Sequence, residues 1–146
     1  MLNKFLYTFL LFVICFFEAI SQNQPPIITS DGNQIYCPQT QQNIVNTFNI
    51  EDPDDTSLDA LYIQISEGYV PGEDILSYSG SNPNLDFNWS VSEGKLEITS
   101  LDGNSALITD LIDAVYEVIF FSSNPNPSDK SFSFTIGDAN YLPSTG

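Results

Sequence analysis

The chain has 146 residues and carries 19 Asp or Glu against three Lys or Arg, with no His, for a net charge of −16. A surface of that sign repels nucleic-acid phosphates and anionic lipid headgroups, which excludes nucleic-acid binding. Without His neither a Ser-His nor a Cys-His nucleophile can be assembled, so the chain is read as non-enzymatic.

Met1 to Ser21 has the make-up of a signal peptide, with Lys4 as its positive region and an apolar run from Phe5 to Phe17. Ala19-Ile20-Ser21 then places small residues where signal peptidase cuts. The apolar run is shorter than a spanning helix needs and is closed by Glu18. The expectation is a protein that is secreted or held at the cell surface, with no membrane insertion after cleavage. Processing leaves Lys95 and Lys130 as the only cations and Cys37 as the only cysteine. A disulfide framework is then ruled out, and Cys37 is read as a small buried hydrophobe near a strand end. About 125 remaining residues suffice for one domain with its own core, and an aromatic content of 13% supports one.

Residues 22–26 read as a polar tether, and 27–140 as a single module. Ile27–Thr29 and Gln34–Cys37 are predicted strands around an Asp31-Gly32-Asn33 turn. Ile44–Ile50 is predicted as a strand with Ile44, Asn46, Phe48 and Ile50 on one face. Leu61–Ile65 alternates with Leu61, Ile63 and Ile65 inward, and Glu73–Tyr78 follows as a further strand. Leu85–Val91 alternates over seven positions and turns through Ser92-Glu93-Gly94 into Lys95–Thr99, the best hairpin in the chain. Between Ser105 and Ala114 the apolar residues Leu107, Ile108, Leu111 and Ile112 recur at helical spacing, with Ser105 as the cap. Tyr116–Phe121 and Ser131–Ile136 complete the strands, and residues 141–146 read as a linker or a truncated end. Short strands with turn residues at regular intervals predict an all-β, antiparallel two-sheet β-sandwich with one short helix near 105–114.

Ile50-Glu51-Asp52-Pro53-Asp54-Asp55 crowds four carboxylates around a proline where an apolar run ends, and Gly137-Asp138-Ala139-Asn140 is a second polar cluster. Together with Tyr62–Leu76, Trp89, Gly94–Ile98, Val115–Phe120 and Phe132–Asp138, in that order, the chain resembles the cadherin-like, immunoglobulin-type repeat of large secreted bacterial adhesins. It is especially similar to the repeats of Bacteroidetes-type surface and gliding-associated proteins that leave the cell by type IX secretion. The resemblance covers about Ile44 to Asn140. It implies a structural spacer or adhesion module of the cell surface, flanked by neighbouring modules of a larger protein and stabilised by calcium at its ends.

On the pattern of those repeats Asp52 and Asp54 would be calcium ligands, Glu51 or Asp55 would add an oxygen, and Asp138 with Asn140 would close the shell. Calcium takes six to eight such oxygens. The sequence departs from the cadherin linker, in which Asp-x-Asn is followed directly by Asp-Asn; here Tyr141-Leu142 follows. Asp and Pro also favour turns for backbone reasons, so an acidic turn without metal is the competing reading. Glu73 and Asp74 are neighbours on one strand and point to opposite faces, which disqualifies them as a glycosidase pair. The alternative function is carbohydrate binding to cell-surface or extracellular glycans, with Tyr62 and Tyr69 as stacking residues and Trp89 in the core.

Overall fold

The computed structural model describes residues 23–31 and 34–137. The predicted signal peptide, Gln22, the Gly32-Asn33 part of the first turn, Asp138, Asn140 and the 141–146 linker lie outside those residues. Eleven strands and one helix follow one another among the described residues. They are β1 (Ile27–Ser30), β2 (Gln42–Asn43), β3 (Phe48–Glu51), β4 (Ser57–Leu58), β5 (Ala60–Glu67), β6 (Asp74–Tyr78), β7 (Leu85–Ser90) and β8 (Lys95–Ser100), then β9 (Ala106–Leu107), α1 (Ile108–Tyr116), β10 (Val118–Ser122) and β11 (Ser131–Gly137).

Two antiparallel sheets form the expected sandwich. One has the order β11-β5-β8-β7 and the other β2-β10-β6, with β1-β3 and β4-β9 as small flanking pairs. The register of the larger sheet explains its inner face. Ile136, Leu61, Ile98 and Phe87 lie in one row across the four strands, and Phe134, Ile63, Leu96 and Trp89 in the next. The same alternation turns Thr135, Tyr62, Glu97 and Asn88 to solvent. Burying the first two rows against Leu76, Val118 and Phe120 of the second sheet makes one continuous core. Aromatic contacts join the sheets at both margins. Tyr78 stacks on Phe87 at 3.9 Å, and Phe120 meets Phe132 edge-on at 5.6 Å.

Five strands keep the immunoglobulin order, with β5-β8-β7 as B-E-D and β6-β10 as C-F. The outer places are exchanged. The last strand, β11, lies beside B where the first strand of an immunoglobulin domain lies, and the two-residue β2 takes the place of the last.

Three local readings are corrected. Gln34–Cys37 is not a strand, because no neighbouring strand among the described residues pairs with it. The Tyr36 hydroxyl donates to the Thr40 carbonyl (2.9 Å) and accepts from the Ser122 N–H (3.0 Å), while Ile35 stands 91% exposed. Cys37 is an exposed free thiol rather than a buried one, since no strand end shelters it. Within Ile44–Ile50 only Phe48–Ile50 is extended in β3. Ile44 and Val45 are buried in irregular chain, and Asn46 faces solvent.

The helix begins three residues later than predicted and ends on Tyr116. Ala106 and Leu107 are drawn into pairing with Leu58 and Ser57, and the Ile108 N–H then donates to the Thr56 carbonyl. Leu107 therefore holds the cap position without a side-chain bond, and the Ser105 hydroxyl donates to Asp59 instead. At the other end the Tyr116 hydroxyl accepts from the Phe48 N–H (2.9 Å) and donates to the Phe48 carbonyl (3.0 Å), stitching α1 to β3.

At the opposite end of the sandwich Lys130 is buried against Asp74, with Nζ 2.7 Å from Oδ2 and side-chain exposures of 6% and 0%. Lys130 also donates to the Gly68 carbonyl, and Asp74 accepts the Val70 N–H at 2.8 Å. Gly68 has φ +71°, and a Cβ there would meet the Asp129 carbonyl at 2.2 Å, so glycine is required where the 123–130 loop crosses the chain.

Candidate functional site

The acidic turn starts where β3 stops. Asp52 Oδ1 accepts the N–H groups of Asp54 (3.2 Å) and Asp55 (3.0 Å), an Asx turn that folds the chain back over Pro53. Asp54 accepts the Gln24 N–H at 3.0 Å, so the turn grips the tether ahead of β1. Carboxylate oxygens of Asp52, Asp54 and Asp55 lie within 4.8 Å of one another. Asp52 Oδ2 is shut off from solvent without a hydrogen-bond partner. Glu51 is not part of this group; it is exposed on β3 and accepts the Asn49 amide at 3.1 Å. Three converging carboxylates repel one another, and a divalent cation removes that repulsion while carbonyls and water complete its shell.

Asp138 and Asn140 lie outside the described residues, but the strand that leads to them does not. The Asp59 N–H donates to the Gly137 carbonyl at 2.9 Å, and Gly137 pairs with Ala60 at the start of β5. The chain between the turn and β5 is tied to the helix end through β4-β9 and the Thr56–Ile108 bond. Acidic turn, helix start and the end of β11 therefore share one end of the sandwich. The tether reaches the same end, because Ile27 pairs with Glu51 and Gln24 is bound to Asp54. Nearby, Asp102 accepts the Ser100 hydroxyl (2.6 Å) and both N–H groups of Asn104, and these bonds lower its pKa to about 2.

The two tyrosines of the alternative reading are not brought together. Tyr62 lies on the outward face of β5, with Lys95 Nζ 5.4 Å from its ring centre. Burial, and then Glu97 beside it, raise its hydroxyl above the usual tyrosine range. Tyr69 instead closes the inner face of the same sheet. Its ring meets Trp89 edge-on at 6.1 Å, lies under Gly94, and its hydroxyl donates to the Val91 carbonyl. The tyrosines occupy opposite faces of one sheet, and Trp89 is on the core face as expected.

Two features escaped sequence reasoning. The Lys130–Asp74 pair had one signal, a lysine in a chain with almost none. A cleft of about 720 Å³ between β2 and β11, lined in part by Gln34, Tyr36, Gln42 and Phe132, had no sequence signal.

Comparison with protein-family models, with curated proteins and with solved structures finds no match for this chain. Among the described residues no helix is long and apolar enough to cross a membrane.

Proposed function

We propose that the protein is a non-catalytic adhesion module of the cell surface, exported by its signal peptide and steadied by calcium at the acidic end. The observation that supports this reading is that the start of the processed chain and the strand leading out of the module lie at one end of the sandwich. Gln24 and Gly137 both sit at the end that carries the acidic turn. A repeat that spaces its neighbours in a line passes the chain in at one end and out at the other. A module held at one end presents the rest of its surface, which favours adhesion over spacing. Neighbouring modules would join at the acidic end, where a cation bound by Asp52, Asp54 and Asp55, with Asp138 and Asn140 as further ligands, would stiffen the joint.

Calorimetric titration of the processed chain with calcium tests the metal. The expected result is a saturable heat and, at a hundred times Kd, about 2.7 kcal/mol of added stability, seen as a rise of roughly 10 °C in Tm. Asp52→Asn combined with Asp54→Asn should abolish both. No heat and an unchanged Tm at millimolar calcium would leave the cluster as an acidic turn.

A further inference from the structure

The second sheet is poorly closed on one side, and a ligand site follows from that. Strand β10 pairs along its whole length with β6, but β2 covers only Ile119 and Phe120 on its other edge. Beyond that short ladder the edge is finished by side chains. Tyr36 takes the Ser122 N–H, and the Gln39 amide donates to the Ser123 carbonyl. Across the gap stands β11, whose only ladder partner among the described residues is β5. Phe48 of β3 packs on Phe134 and closes the part of this opening nearer the acidic turn. The remainder, running toward Lys130 and the 123–130 loop, is the 720 Å³ cleft.

Its chemistry is selective. Tyr36 and Phe132, both half-buried and packed on the buried Phe120, supply aromatic surface. Gln34 and Gln42 form an amide pair on the wall, in which the Gln42 amide donates to Gln34 Oε1 at 3.1 Å. Gln34 Nε2 is shut off from solvent and has no partner, a donor left unused in the wall. Glu67 and Asp129 add carboxylates at the rim, both on exposed residues. The lysine of the cleft offers no free charge, because Lys130 is neutralised by Asp74. Anionic ligands, including acidic sugars and phosphates, would meet two carboxylates with no cation to offset them. A ligand rich in hydroxyls fits each feature. Its hydroxyls donate to carboxylates and amide oxygens and accept from amide N–H groups, while its C–H faces lie on aromatic rings.

We infer that this cleft binds a neutral saccharide. The inference rests on the adhesion reading and names its ligand class, and it moves the sugar site away from Tyr62 and Tyr69.

The processed chain is titrated against neutral oligosaccharides of the cellulose, chitin, mannan and galactan types by calorimetry, after a glycan array. Native protein is compared with Gln34→Ala/Gln42→Ala, with the rim variant Asp129→Ala and with Tyr62→Ala, each first shown to be folded by its melting curve. The expected result is saturable binding of a neutral glycan, weakened at least tenfold in the double variant, weakened in Asp129→Ala and unchanged in Tyr62→Ala. Binding lost only in Tyr62→Ala, binding confined to acidic glycans, or no binding to any probe overturns the inference. Beads coated with the chain are also tested for adhesion to cells before and after periodate oxidation of the cell-surface glycans. Adhesion that survives oxidation overturns the saccharide and keeps the adhesion reading, whereas beads that never adhere overturn both.

Discussion

Lys130→Met should destabilise the protein by about 3–5 kcal/mol, the cost of stranding a buried carboxylate. Asp74 is fully buried, and its Oδ2 is held by the Lys130 ammonium at 2.7 Å and the Val70 N–H at 2.8 Å. Oδ1 has no hydrogen-bond partner even in the native protein. Methionine fills nearly the volume of the lysine stem but returns no charge, so the carboxylate keeps one backbone donor in a low-dielectric setting. The Gly68 carbonyl loses its ammonium donor in the same step. Urea unfolding measures the loss. Asp74→Asn together with Lys130→Met should recover much of it, because the double variant buries no charge. A single variant as stable as the native chain would mean that the pair is solvated and contributes nothing beyond a surface contact.

Leu111→Ala is expected to cost about 2–5 kcal/mol, the range for removing a large buried aliphatic side chain and leaving a cavity. Leu111 is wholly buried on α1, beside Ala114 and Val115 on the same helical face. A nine-residue helix is marginal on its own, so it exists because this face is packed. The helix also fixes the acidic end. Its first residue bonds to Thr56 just after the turn, and its last residue holds Phe48 at the start of β3. On the proposed calcium reading the variant should also weaken binding at the acidic turn, read by the same calorimetric titration at a temperature where the protein is still folded. Unchanged stability would show that α1 lies outside the cooperative core.

The sandwich was legible wherever one face of a strand is buried. In β5, β7, β8 and β11 the alternation of apolar and polar residues gave the strands and their inward faces, because a one-residue slip would expose every core side chain. Gln34–Cys37 looked equally strand-like, yet no neighbouring strand pairs with it. Local pattern cannot reveal whether a partner edge exists. The helix boundary moved because Ala106 and Leu107 pair with residues almost fifty positions earlier, a contact that outweighs the cap offered by Ser105.

The acidic turn could be read as a cluster, since Asp-Pro-Asp-Asp is local. Its grip on Gln24 and its place at the same end as Gly137 depend on β1-β3 and β5-β11 pairings that join distant parts of the chain. For the same reason the two tyrosines looked alike in sequence and lie on opposite faces. The cleft arises from what is missing beside β10, a full-length strand, and a missing strand leaves no trace in composition.

In the proposed adhesion module the start of the processed chain and the end of β11 lie at one end of the sandwich and leave the other end exposed. Spin labels placed by Gln24→Cys, Glu93→Cys and Thr135→Cys in a Cys37→Ser background test it in pairs by pulsed electron resonance. Glu93 lies at the hairpin turn beside the far end of β5, while Thr135 pairs with Tyr62 near its start. An eight-residue strand is about 25 Å long, so the Gln24–Thr135 distance should be shorter than Gln24–Glu93 by roughly 10 Å or more. A Gln24 label closer to Glu93 than to Thr135 would place the start of the processed chain and the end of β11 at opposite ends and return the module to a linear spacer.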